Sequence, residues 1–261
     1  MSKGFLYVVH SVRPGYVQEA FHNVPTQWRD RLYFGPCKIP MRRKMAEGDW
    51  VFGISPAIGT ARRIVFVAEL EEPITFEEAY NLFPDLRGPV GPIHVRPLPV
   101  KGRGPFPESS YQHIPGAMHA ESWINDLKTK NLDKFFVCSD RDRWRGRWLG
   151  KYGPEIDNEL LKFLKTCSVH GAKGQLSSRN TYATLAIPLA HRGQRGYLYR
   201  VHLETDQAET LIELCNSRME RKTELLDRVL TLTPRPGAPG ECGIRKEVST
   251  SRPIHASKRA C

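Results

Sequence analysis

Apolar residues fall along this chain in short blocks separated by turn-forming stretches, and both the two-residue and the 3.6-residue period occur. Residues 5–10 (FLYVVH), 50–54 (WVFGI) and 62–70 (RRIVFVAEL) are aromatic and β-branched runs of strand length, so each predicts a strand. Residues 135–138, 181–188 and 197–203 predict three more. Gly48-Asp49 leads into the second run, and Pro56 with Gly59 marks a turn behind it, because these residues suit turn backbone. Residues 11–31 are polar with scattered aromatics and read as an extended loop with a helical turn near 17–21. Residues 37–46 read as a short helix or a structured connection.

The helical signals lie further along. Thr75-x-x-Glu78 is a capping box, which opens a helix to about residue 83 by satisfying the free amides of its first turn. Helices are also predicted over 120–130 and 154–166. In the second, Pro154 suits the first turn, and Ile156, Leu160, Leu161 and Leu164 share an apolar face. Asp206 with Glu209 predicts a capping box for a helix over 207–230, whose Leu211, Leu214, Cys215, Met219, Leu225 and Val229 form one stripe at helical spacing. Residues 84–119 are rich in proline and glycine. They read as one long irregular connection, and loops of that length are usually functional or disordered. From residue 233 onward Pro, Gly, Ser and charged residues dominate, which predicts disorder.

Composition narrows the classes. A chain of 261 residues with 40% hydrophobic content can bury a sizeable core, since roughly 70% of the extended-chain surface is lost at this size. Its apolar runs, such as residues 64–68, are far too short to cross a bilayer. The opening Met1-Ser2-Lys3-Gly4 lacks the apolar core of a signal peptide. Together these imply a cytoplasmic protein. Six cysteines show neither C-x-x-C nor zinc-finger spacing, so free buried thiols are expected and no metal or other cofactor is implied. The net charge is +11, which favours a polyanionic partner because each neutralised phosphate releases a counterion. The last thirty residues contribute only part of it, through Arg235, Arg245, Lys246, Arg252, Lys258 and Arg259 against Glu241 and Glu247, so the body is basic as well.

A motif string adds a family. Tyr7-Val8-Val9, then Cys37-Lys38-Ile39-Pro40-Met41-Arg42-Arg43, then Gly48-Asp49-Trp50-Val51-Phe52-Gly53 resembles the second family of nucleotide-modification-associated domains. The order is kept over about residues 5–80. The same pattern looks like PUA-like barrels, including the ASCH and EVE groups, in which a Gly-Asp turn enters a strand and an apolar strand ends in an acidic residue, as Ile64–Glu69 does. The resemblance implies an α+β fold: a small mixed β-sheet or PUA-like partial barrel flanked by helices. Residues 1–231 would form one domain, with the PUA-like part at about 5–83, and 232–261 a disordered basic tail. It also implies binding to nucleic acid with a base turned out into an aromatic-lined pocket.

Such a pocket needs a stacking platform, worth about 1–3 kcal/mol per base. Tyr16, Tyr33, Trp50, Trp144 and Trp148 are candidates. The base edge needs donors and acceptors, for which Asn23, Gln27, Asp49 and Asp140 are available. Asp49 could equally hold a turn, and Trp50 could equally be core. Lys38, Arg42 and Arg43 would meet phosphates, or form an ordinary solvated face. Residues 140–148 (DRDRWRGRW) interleave Arg141, Arg143, Arg145 and Arg147 with Trp144 and Trp148. Arginine pairs bidentately with phosphate and stacks on bases, so this stretch reads as a nucleic-acid contact. Gly171-x-x-Gly174 with Lys173 could cradle a phosphate, but it lacks the full P-loop pattern and suits a flexible loop.

Three readings follow. The first is a module that recognises modified bases in DNA, hypermodified or glycosylated, in phage defence or DNA-modification biology. The second is a DNA glycosylase that excises such a base, with Asp49 and Asp140 as candidate catalytic carboxylates. The third is a PUA-like RNA-binding module. The deaminase H-x-E…P-C-x-x-C set and the dinucleotide-binding Gly-x-Gly-x-x-Gly are both absent from the chain.

Overall fold

The computed structural model describes residues 2–9, 12–13, 17–18, 25–28, 31–35, 39–55, 62–88, 92–102, 110–116, 127, 132–139, 144–164, 166–170 and 200–219. The strands are β1 (Gly4–Val8), β2 (Val12–Arg13), β3 (Val17–Gln18), β4 (Thr26–Trp28), β5 (Arg31–Phe34), β6 (Trp50–Ile54), β7 (Ile64–Glu69), β8 (Val95–Pro97), β9 (Tyr111–His113), β10 (Phe136–Val137), β11 (Ser168–His170) and β12 (Arg200–Leu203). The helices are α1 (Ile39–Arg42), α2 (Phe76–Leu82), α3 (Asn158–Leu164) and α4 (Thr205–Met219). The class is α+β. The sheets are open, and no closed barrel forms among the described residues.

The central sheet has the order β11-β12-β1-β6-β7. Strands β1 and β6 run parallel, and the other neighbours run antiparallel. Side chains alternate between its faces, as the two-residue period requires. Leu6, Phe52, Ile54 and Val67 meet Leu160, Leu164, Leu211 and Cys215 of α3 and α4 on one face. Phe5, Tyr7, Val51 and Ala68 meet Met41, Met45, Leu32 and Phe136 on the other. That second layer contains the three-stranded sheet β10-β5-β4.

A bulge interrupts the alternation. Gly53 pairs with Phe66 but Ile54 pairs with Ile64, so Val65 is an extra residue, and Val65 and Phe66 both face the β10-β5-β4 layer. An extra residue on one strand has this local effect. A Cβ on Gly53 would lie 2.0 Å from the Phe66 ring, so glycine leaves the space that the ring fills.

Strand β7 ends the sheet and would expose its edge. The chain after residue 144 seals it. Gly146 and Leu149 donate their amides to the carbonyls of Val67 and Val65 at 2.8 and 2.7 Å, Ile64 donates to the Pro154 carbonyl at 2.8 Å, and Ile156 donates to Arg62 at 2.8 Å. Covering an edge removes a template for unwanted pairing. Gly153 lies so close to β7 that a Cβ there would sit 1.8 Å from the Ile64 carbonyl oxygen.

Several predicted elements change in this light. Pro154 belongs to the edge strap rather than to a helix, because its carbonyl serves β7. Helix α3 starts at Asn158, and the preceding Asp157 accepts the Leu160 amide at 2.9 Å. Asp157 also accepts two hydrogen bonds from Arg218 Nη2 and one from Nε, which clasps α3 to α4. Helix α4 begins before the predicted capping box, with the Gln207 side chain accepting the Glu204 amide. The Thr75–Glu78 box is present as predicted. Among the described residues of 11–31 there are short strands, with Val17–Gln18 a strand where a helical turn is predicted near 17–21, and 84–119 holds the hairpin β8–β9. The predicted helix over 120–130, the strand over 181–188 and the tail 232–261 fall outside the described residues, apart from Leu127.

Replacing Gly53 by alanine is expected to lower stability by about 1–3 kcal/mol, the usual range for overpacking. A shift of the urea midpoint without a change of slope would show it.

Candidate nucleic-acid interface

Asp49 stands where β6 begins. It is 4% exposed. One carboxylate oxygen accepts the Lys3 amide at 2.8 Å and the other accepts the Ala46 amide at 2.9 Å. Gly48, at φ 77°, makes the turn in the left-handed conformation that favours glycine. Both oxygens of Asp49 therefore hold backbone, which suits a turn anchor and leaves little for a catalytic carboxylate. The second candidate, Asp140, lies outside the described residues.

Trp50 follows directly, half-buried against the α3–α4 face of the sheet. Trp144 packs against the same layer and also against the Leu149–Met219 pair. Between them in contact lies Arg145, whose guanidinium carbon is 5.4 Å from the Trp50 ring centre and 6.0 Å from that of Trp144. These distances are within reach of cation–π attraction. The edge strap is what makes this corner. Because Gly146 is hydrogen-bonded to Val67, Arg145 arrives beside the start of β6.

Trp148 is not part of the corner. The strap crosses the β7 edge, and Trp148 packs on the opposite face, 6.2 Å from Phe66. Its amide donates to Gln27 Oε1 at 2.7 Å. That bond places Gln27 beside Trp148, so the structure separates this pair from Trp50 and Trp144. Tyr33 is buried among Phe83 and Phe135, in the layer behind the sheet.

Arg42 corrects the phosphate reading. It is 1% exposed, donates to the Gly35 carbonyl at 3.3 Å and lies 5.7 Å from the Phe76 ring. A buried guanidinium cannot meet a phosphate on the surface. It acts instead on Asp133, which accepts the Phe76 amide at the start of α2 and the Tyr111 hydroxyl. Burial pushes the Asp133 carboxyl up, opposed by those hydrogen bonds and by the Arg42 charge. Burial and the same carboxylate push the Tyr111 phenol well above its ordinary value. Its neighbour Arg43 is exposed and remains available to a polyanion. Arg147 is half-buried on the strap.

Tyr16, Asn23, Lys38, Arg141, Arg143 and Lys173 fall outside the described residues. Among those described, Cys138, Cys167 and Cys215 are free and buried, as expected. Burial raises the Cys167 thiol to about 11 and Cys215 to about 12, so both stay protonated at neutral pH and are poor nucleophiles. No group of three or more metal-ligating side chains occurs among the described residues. No described helix is long and apolar enough to cross a membrane.

Glu69 stands opposite Trp50, a placement that sequence reasoning passed over. It pairs with Trp50 across β6 and β7, and directly opposite residues in antiparallel strands share a face. The acidic residue closing the β7 run was visible, but its position beside Trp50 depends on the pairing register. No family model matches the chain, and neither a curated protein nor a solved structure matches it.

Asp49→Asn is expected to cost about 2 kcal/mol, since the amide keeps one acceptor and places a donor against the other backbone amide. Arg42→Met is expected to destabilise as well, by leaving Asp133 buried without its nearby charge. Denaturant unfolding of the two variants checks both.

Proposed function

We propose that the protein binds DNA carrying modified bases and that the Trp50–Trp144 corner receives the base. The observation carrying this reading is the convergence of two half-buried indoles and a guanidinium at one edge of the central sheet. Aromatic faces beside arginine suit an unstacked base, which needs a platform and a nearby cation for its phosphate. The net charge of +11 supports a polyanionic partner. Basic and acidic side chains nearly balance among the described residues, so most of the excess sits in the remaining segments. The likeness of residues 5–80 to nucleotide-modification-associated domains supports modified DNA over RNA.

The reading stops at recognition. Asp49 spends both oxygens on backbone amides, which speaks against its use in excision.

Duplexes containing hydroxymethylated, glucosylated or alkylated bases, compared with plain duplex at matched salt, test the proposal by retention on a filter. At least one modified duplex is expected to be retained more strongly. Trp144→Ala is expected to remove that preference, a loss of roughly ten-fold from one stacking partner. Equal retention of every duplex at all salt concentrations would overturn the proposal. Free base in the same samples would turn the reading to excision.

A further inference from the structure

Trp144 rests on two supports. Its ring packs on the α3–α4 layer of the core and on Leu149 with Met219, both of which are buried. Leu149 is fixed by its amide on the Val65 carbonyl. Met219 is the last residue of α4, and helix ends fray unless something holds them. Arg218, the residue before it, supplies the hold. All three of its guanidinium nitrogens are engaged. Nε donates to Asp157 at 3.0 Å, and Nη2 donates to both oxygens of Asp157 at 3.0 and 2.8 Å and to Glu159 at 2.7 Å. Nη1 donates to the Leu214 carbonyl, one turn back along the same helix, at 2.7 Å. Isolated surface ion pairs contribute little, but a forked guanidinium shared between two carboxylates is the geometry that does contribute. The Arg218 side chain is only 12% exposed, although both carboxylates reach water.

We infer that Arg218 is a positioning residue for Trp144: its clasp on Asp157 and Glu159 holds the end of α4 and so keeps the Leu149–Met219 support in place against the indole. The consequence for binding rests on the reading that Trp144 stacks the base; the positioning itself does not need it. A ring that is already fixed loses less freedom when a ligand stacks on it, so the clasp contributes to base selection without touching the base. Trp148 gives the contrast. It packs with Phe66 and Gln27 on the opposite face of the sheet. Opening the clasp should disturb Trp144 alone, whereas a loosening of the whole sheet would disturb both rings.

The test prepares the full-length protein with 5-fluorotryptophan and follows its five indoles by fluorine NMR, with Trp144→Phe and Trp148→Phe identifying two of the lines. Arg218→Gln is expected to shift or broaden the Trp144 line and to leave the Trp148 line in place. Glu159→Gln removes only the more exposed partner and keeps the Asp157 cap on α3. It is expected to move the same line by less, and it serves where Arg218→Gln folds poorly. On the filter, Arg218→Gln is expected to reduce the preference for a modified duplex by about three- to ten-fold, the cost of ordering one freed side chain. A Trp144 line unmoved in both variants would overturn the inference, as would Trp144 and Trp148 lines that move together. So would a duplex preference that Trp144→Ala removes and Arg218→Gln leaves unchanged. If no modified duplex outbinds plain DNA, the reading of the base site fails, and the two lines still decide whether Arg218 positions the ring.

Discussion

One buried carboxylate sets the frame on which the candidate site depends. Asp49 accepts the amide of Lys3 at the entrance of β1 and that of Ala46 in the turn before β6. Parallel neighbours cannot be joined by a tight hairpin, so their register needs another anchor. Here the anchor is a single side chain gripping both strand entrances, reinforced by the Trp50 amide on the Lys3 carbonyl at 2.7 Å. Because Trp50 is the next residue, the interaction that fixes the sheet also fixes the first stacking ring. A loss of this grip would be felt as stability and as position together.

The second constraint is the edge of β7. An uncovered edge strand invites association with other chains, and the strap over residues 144–156 answers it with backbone hydrogen bonds. The same strap delivers Trp144 and Arg145 to one face and Trp148 to the other. The arginine–tryptophan stretch is thus held at one end by a sealed sheet edge, while its earlier residues, Arg141 and Arg143, precede the anchored part. Rigid placement of the rings reduces the ordering cost of taking up a ligand.

What could be read from the chain was local. The Thr75–Glu78 box is made of neighbours in sequence, and it formed as read. Strands β6 and β7 are continuous apolar runs and were equally legible. Strand β10 falls inside the run 135–138 that reads as a strand, whereas the short strands β4 and β5 carry too few residues for a period to emerge, and β8 contains Pro97, which argues against a strand. Arg42 looked like one of three solvated cations, and nothing near it in sequence announces the Asp133 carboxyl whose charge it favours. Trp50 and Trp144 were each visible as stacking candidates. Their meeting, and the arrival of Glu69 opposite Trp50, depend on strand register and on the strap.

That division has a physical consequence for recognition. The described frame is close to neutral, while the chain as a whole is strongly basic. Charge spread over connecting segments gives affinity that weakens with salt and carries little information about the base. Selectivity has to come from contacts whose geometry the frame determines, because only these differ between one base and another. Trp50 is placed by a hydrogen-bonded strand and Trp144 by the strap bonded to the edge of β7, so the arrangement of the two rings does not change with ionic strength. Rising salt should therefore weaken binding of modified and plain DNA alike while leaving their ratio nearly constant. A ratio that collapsed with salt would locate the discrimination in the basic segments instead of the aromatic corner.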